Sequence, residues 1–411
     1  MKKLNIIIAC VFLQFVSVQI EANNYIWLHG LNDKVTCWQV YDQAFTSGIS
    51  SRKPYDCGQT VENISNQVWG KIENSKKNNM ILIGHSLGGI VAREMEGNHR
   101  ANVKGIITIG TPHHGAQIEN ETASGALRTM ASKIVNMFMT AINASIDAFG
   151  RETSIMSGAV KATKDLKEEV LVDAVLSNFA DGTFPCEKQI QVGSEYMKTI
   201  NDTRKVNVPI LCFAAEEDRW SLARMGYCGT YKYDLQTKSN LNTDGKFDQT
   251  AYNIMSAGSL SASLITASHS MIYPNLFIFG IFSPNLWHSA ERHYAAAAYW
   301  GGVSNYLNNG LDFDHSKLIG ATRVDAIPEQ HKFLWKRWTT YTYVTVPEPH
   351  DGLVPVKSQQ LDKSKGTNVI WAGSTIKGVN HMEEFNHKNT RAEFKKAIVD
   401  GGYEPNTFQK K

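Results

Sequence analysis

The feature that most constrains this chain is the run Gly84-His85-Ser86-Leu87-Gly88, set between two segments of opposite character. Before it lies Met80-Ile81-Leu82-Ile83, four apolar residues preceded by Asn78-Asn79, which predicts a short buried strand. After it, Leu87–Met95 suits a helix. A strand that passes into a helix within about one residue must turn sharply, and side chains at 84 and 88 would collide with neighbouring backbone. Glycine at both positions meets that demand. The expected product is a strand–turn–helix with the Ser86 hydroxyl at its apex.

Other segments supply the sheet that such a turn needs. Tyr25-Ile26-Trp27-Leu28, Gly105–Ile109, Val208–Phe213, Tyr341–Val346 and Val369-Ile370-Trp371 read as five further strands. Val61, Ile64, Val68 and Ile72 recur at helical spacing, in a helix through about Lys76. Apolar strands alternating with helices predict an α/β fold, a mostly parallel sheet of about six strands with helices on both faces. Two long segments interrupt the alternation, about 116–207 and about 219–340. The first carries helical patterning at Ala126–Phe149 and Val160–Phe179. The second turns aromatic, with Phe277, Phe279, Phe282, Trp287, Tyr294, Tyr299 and Trp300. Loops of that length without structure would be anomalous, so both are expected to be folded insertions.

Lys2 and Lys3, the apolar run from Leu4 to Val18, and Ile20 and Ala22 ahead of Asn23 read as a secretory signal over residues 1–22. The catalytic domain is then 23–411, secreted or periplasmic. The leading run is short for a span and holds Asn5 and Gln14, while Met271–Trp287 carries internal prolines. No stable membrane span is expected after signal removal. The formal net charge is +3 with no block of like charge, so there is no electrostatic footprint for nucleic acid. Export permits disulfides, and Cys37–Cys57 and Cys186–Cys228 are the pairings to test first. Cys212 lies in an apolar strand and reads as a buried thiol.

A serine at such an apex suits acyl transfer, which needs a base, an acid to orient it, and two amide donors for the oxyanion. The donors expected are the N–H of Leu87, directly after the serine, and that of Leu31 in His29-Gly30-Leu31, after the first strand. His381 follows the last strand and is the favoured base, with His387 as an alternative. Asp351 follows the Tyr341–Val346 strand, 30 residues before His381, and is favoured as the acid over Glu216-Glu217-Asp218. His85, His113 and His114 are expected to pack around the site.

Gly84–Gly89, Thr108-Ile109-Gly110-Thr111-Pro112-His113-His114-Gly115 and Asn380-His381-Met382-Glu383-Glu384 together resemble the true bacterial lipases of the α/β-hydrolase superfamily. The His29-Gly30-Leu31 segment is similar to that family's oxyanion loop, and Asp351–Pro355 to its catalytic-acid loop. The resemblance implies an α/β-hydrolase fold with a cap or lid formed by the insertions. It implies Ser86 as nucleophile, His381 as base, Asp351 as its partner, and Leu31 and Leu87 at the oxyanion. The substrate would be a lipid or other small ester, at an oil–water interface in the lipase case. The chemistry requires no cofactor; relatives that bind a structural calcium leave room for calcium or zinc, with Glu383 where one ligand would fall. The alternatives are a short-chain carboxylesterase, an amide- or thioester-hydrolysing relative, or a secreted binding protein on the same fold.

Overall fold

The structure is a computed structural model that describes residues 22–31, 33–46, 50–149, 183–217, 284–306 and 310–410. The strands in chain order are β1 (Asn24–Leu28), β2 (Ser50–Arg52), β3 (Met80–His85), β4 (Val103–Ile109), β5 (Val206–Phe213), β6 (Ala215–Glu216), β7 (Thr322–Phe333), β8 (Lys336–Pro347), β9 (Gly366–Trp371) and β10 (Ile376–Lys377). Six of them form one sheet in the order β2-β1-β3-β4-β5-β9, every neighbour parallel. β6 and β10 form a short parallel pair beyond the ends of β5 and β9.

Side-chain alternation sorts the sheet into two cores. Ile26, Leu28, Leu82, Ile106 and Ile210 face one way, against Val61, Ile64 and Val68 of α2 (Val61–Lys71) and Ile90, Val91 and Met95 of a helix over Leu87–Asn98. Tyr25, Trp27, Ile83, Ile107 and Phe213 face the other way, against Tyr41 and Phe45 of α1 (Gln39–Phe45) and Phe394 of a C-terminal helix, Lys388–Ile398. Both faces are covered, which is why the central strands are apolar throughout rather than alternating.

The expected sheet and the observed one agree in number but not in membership. Tyr341–Val346 lies in β8, which pairs antiparallel with β7 from Thr322↔Pro347 to Phe333↔Lys336, outside the parallel sheet. The sixth place goes to Ser50–Arg52 at the far edge, three polar residues that give no strand signal. The Tyr/Thr/Val alternation of β8 marks a strand, but periodicity does not name its partner.

Numbered in chain order, α3 is Leu87–Asn98, α4 Gln117–Ser124, α5 Ala126–Phe149, α6 Pro185–Ile190, α7 Glu195–Lys198, α8 Pro284–Asn305, α9 Leu311–Leu318, α10 Val356–Gln359 and α11 Lys388–Ile398. Leu127 and Met130 of α5, Val303 of α8 and Leu311 and Leu318 of α9 share a third apolar cluster, with Leu353 packed against it. Helices of both insertions thus form one body beside the loop that carries Asp351. Tyr294 and Tyr299 of the aromatic segment are exposed.

Cys37, Cys57, Cys186 and Cys212 are buried and form no disulfide with one another. Cys37 lies in one core and Cys57 in the other, which corrects the Cys37–Cys57 pairing. Cys57 instead neighbours Cys186, whose Sγ donates to its carbonyl at 2.8 Å. Cys228, residues 1–21 of the expected signal, Val160–Phe179, Asp218, Phe277, Phe279 and Phe282 lie outside the described residues. Among the described residues no helix is long and apolar enough to cross a membrane.

Candidate active site

The sheet order reverses at β1, whose neighbours are β2 on one side and β3 on the other. A crevice opens at the carboxyl ends of the strands where such a reversal occurs. Gly30 follows β1 there, and Ser86 follows β3. Ser86 holds φ 54 and ψ −127 as the residue that caps α3, and its N–H donates to the Ile109 carbonyl at 3.0 Å. A positive φ on a residue with a side chain is strained, and it turns the side chain out of the strand-to-helix bend. The glycines have the predicted steric reason. A Cβ on Gly84 would stand 2.4 Å from backbone of Gly88 and Gly89, and one on Gly88 would stand 2.5 Å from the Leu28 carbonyl oxygen. Gly88→Ala is therefore expected to cost about 1–3 kcal/mol of stability, measured by denaturant unfolding. It should also lower turnover by pushing on the end of β1.

The loop after β1 is in contact with the serine, since a Cβ on Gly30 would lie 3.1 Å from Ser86 Cβ. The next residue in that loop is Leu31. The His29 ring stacks on Tyr55 at 3.8 Å, and the Tyr55 hydroxyl donates to the His29 carbonyl, which holds the loop's base. Leu87 is the first residue of α3, where an N–H has no partner within its own helix. Leu31 and Leu87, the residues expected to supply the oxyanion donors, thus directly follow Gly30 and Ser86.

His381 and Asp351 meet. His381 Nδ1 donates to Asp351 Oδ2 at 2.8 Å, and the His381 N–H donates to the Asp351 carbonyl at 2.8 Å. Asp351 is fully buried, and its Oδ1 accepts from the N–H groups of Leu353 and Val354 at 2.8 and 2.7 Å. The pair lies beside the serine turn: His85, next to Ser86 in sequence, donates from Nε2 to the His381 carbonyl at 3.0 Å, and the two rings are 4.7 Å apart. Among the described residues no hydrogen bond joins Ser86 Oγ to His381, a contact of the kind that tightens when substrate is bound.

Asp351 reaches this place for a reason other than the expected one. The strand before it does not belong to the parallel sheet. Instead the chain leaves at Glu217 and returns beside it, with the Glu217 N–H donating to the His350 carbonyl at 2.7 Å. Buried Gln359 locks the return: its side chain accepts from the Ala215 N–H and donates to the Ala215 and Val354 carbonyls. Asp351 thereby stands next to the carboxyl end of β5 and β6. Of the competing acids, Glu216 pairs with Lys377 and Glu217 is buried by this junction. His387 caps α11, accepting from the Asn389 N–H at 3.2 Å, and does not compete for Asp351. His113 shares a hydrogen bond with Thr108 Oγ1 at 3.1 Å, and burial holds its ring well below the ordinary imidazole range, so it is a neutral packing group.

Sequence reasoning passed over Glu384, three residues after His381. It is fully buried, with Oε2 3.2 Å from His85 Nε2 and 3.8 Å from His381 Nδ1. Burial, and then the Asp351 carboxylate beside it, push its carboxyl well above the ordinary range, so it stays neutral. Gly110, at φ +57, is needed to admit it, because a Cβ there would fall 1.9 Å from Glu384 Oε2. The His-x-x-Glu spacing was the available signal. A raised folded pKa contributes stability that is present below the unfolded carboxyl's range and is lost as pH rises toward the folded value. Glu384→Gln, which needs no proton to be neutral, is therefore expected to match wild type in acid. At pH 8 it should melt higher by about 2 °C, on the scale of 1 kcal/mol for a chain of this size. Equal melting curves at both pH values would refute a neutral Glu384.

Ligand atoms of His85, His381 and Glu384 lie within 4.8 Å of one another. Two imidazoles and one carboxylate do not suit calcium, which takes six to eight oxygens. A zinc ion there would claim the His381 nitrogen that Asp351 holds. Glu383, the expected carboxylate ligand, is buried but outside this group.

A family profile described as PGAP1-like alpha/beta domain matches residues 53–182, a stretch that includes β3, the Ser86 turn and β4. Comparison with curated proteins returns no match. Among solved structures, a lipase of Bacillus licheniformis in mature form is 16% identical, covering 54% of this chain and 77% of that one at a TM-score of 0.30. An extracellular alpha/beta-hydrolase of a Paenibacillus species is 13% identical, covering 47% and 77% at a TM-score of 0.27. A lipase-esterase related protein of Clostridium acetobutylicum is 13% identical, covering 47% and 73% at a TM-score of 0.26. The sheet order and the turn at Ser86 carry the conclusion: this chain has the α/β-hydrolase fold.

Proposed function

We propose that the chain is an exported serine esterase that hydrolyses carboxylic esters, acylglycerol-type lipids among them, through Ser86, His381 and Asp351. The observation that carries this reading is the strained Ser86 turn with a buried, hydrogen-bonded His381–Asp351 pair beside it. His381 takes the Ser86 proton as the hydroxyl oxygen attacks the ester carbonyl carbon. The amides of Leu31 and Leu87 bind the oxyanion, and His381 returns the proton to the departing alcohol. Water, activated by the same imidazole, then releases the acid and frees Ser86. Asp351, held by two backbone amides, keeps the proton of His381 on Nδ1 so that Nε2 is the basic nitrogen. Residues 1–22 serve as the export signal in this reading.

The test is labelling of folded protein by a fluorophosphonate, followed by an ester panel graded in acyl length. Label on Ser86 with turnover of esters supports the proposal. A folded protein that takes no label at Ser86 and cleaves no ester would instead be a binding protein on the same fold. Turnover limited to short soluble acyl chains, with no rise on emulsions, would place it with carboxylesterases rather than lipases.

A further inference from the structure

β7 and β8 form a two-stranded ribbon of twelve residues on each side, closed by Leu334-Trp335. Most of the ribbon is solvent-exposed, on both faces, and β8 is exposed without interruption from Lys336 to Tyr343. A lone ribbon is marginal in water, and a contiguous apolar surface of this kind marks a contact site. Its end is the most apolar part: Phe333 is 68% exposed, Leu334 64% and Trp335 83%.

Charge is sorted along the same axis. From Gln330 to Trp338 the ribbon carries Lys332, Lys336 and Arg337 and no carboxylate. Lys336 pairs across from Phe333, and Lys332 across from Arg337 on the next rung. Further down, Arg323 pairs with Asp325 at 2.8 Å, while Glu329 accepts from the Thr342 hydroxyl and lies 3.9 Å from His331 Nε2. With rungs about 3.4 Å apart, the cations stand roughly 3–7 Å behind the tip. That offset matches an apolar wedge in the acyl boundary with cations at the level of the headgroups.

We infer that the β7–β8 ribbon docks the protein onto an anionic lipid surface, Phe333, Leu334 and Trp335 entering the layer and Lys332, Lys336 and Arg337 meeting its headgroups. A second copy docking tip to tip would oppose cations to cations, and a lipid layer supplies both an apolar depth and a negative face. The ribbon returns to the body where the Glu348 N–H donates to the Ala321 carbonyl at 2.7 Å, three residues before Asp351. Under the esterase reading, docking tethers the catalytic body to a layer that holds ester lipids. The docking itself does not depend on that reading.

The test is co-sedimentation of the full chain with vesicles of phosphatidylcholine alone and of phosphatidylcholine mixed with phosphatidylglycerol. Partition should be at least about tenfold higher onto the anionic vesicles and should fall at high salt. Phe333→Ser/Leu334→Ser/Trp335→Ser and Lys332→Glu/Lys336→Glu/Arg337→Glu should each lose that binding while keeping wild-type melting and short-chain ester turnover. Ser86→Ala should bind vesicles as wild type does, so an inactive protein that still binds sinks only the esterase reading. Equal partition onto both vesicle types, or binding unchanged in both ribbon variants, overturns the proposal. So does a dimer that the ribbon variants dissociate in the absence of any vesicle binding, which would assign the ribbon to a second copy.

Discussion

Ser86→Ala is expected to lower kcat for ester hydrolysis by about 10⁶-fold, leaving at most the residual rate that binding and oxyanion donors supply. The loss follows from the proposed chemistry, which forms its acyl intermediate on the Ser86 oxygen, and alanine supplies none. The variant should remain folded, because alanine meets the same φ penalty as serine and removes no core atom. Ser86→Gly separates function from stability more sharply. Glycine takes φ 54 without strain, so this variant should be equally inactive yet more stable than Ser86→Ala by about 1 kcal/mol. Steady-state kinetics and urea unfolding on the three proteins check both halves. Activity retained in either variant removes Ser86 from the reaction.

Asp351→Asn is expected to cost about 10⁴ in kcat with little change in KM. The side-chain oxygen on the Oδ1 side accepts from Leu353 and Val354, and an asparagine would keep its carbonyl oxygen there. Its amide NH₂ would then face His381 Nδ1, which could no longer carry a proton. The imidazole would hold its proton on Nε2, the nitrogen that must accept from Ser86, and so could not act as base. Glu217→Gln should be far milder, since the Glu217 backbone rather than its side chain makes the bond to His350. A larger loss in the Glu217 variant, or less than about tenfold loss in Asp351→Asn, would move the acid role away from Asp351.

Asp351 reaches His381 by a route other than the one its sequence position suggests. The expectation placed it after a strand of the main sheet; the strand is instead one side of an exposed ribbon. Nothing in Leu334-Trp335 resembles the Asn-Gly or Asp-Gly turns that signal a two-residue hairpin, and Leu334 adopts φ 54 without a glycine's freedom. What brings Asp351 to the end of β5 and β6 is Gln359 and the Glu217–His350 contact, between residues far apart in sequence. Glu384 was hidden for a related reason. Its sequence position is plain, but its neutrality depends on burial against Asp351, His85 and the bare backbone of Gly110.

Sequence alone determined the Ser86 turn and the strand and helix on either side of it, because glycine spacing, strand period and helix propensity act over a few neighbouring residues. It also marked β1, β3, β4 and β5 as covered on both faces, since such strands must be apolar, but it placed the exposed Tyr341–Val346 among them. Tertiary structure decided which strands pair, where the acid loop lands, which carboxyl keeps its proton, and that an aromatic ribbon stands clear of the body. Those depend on which groups meet across hundreds of residues and how much water they exclude, and local propensity carries neither quantity.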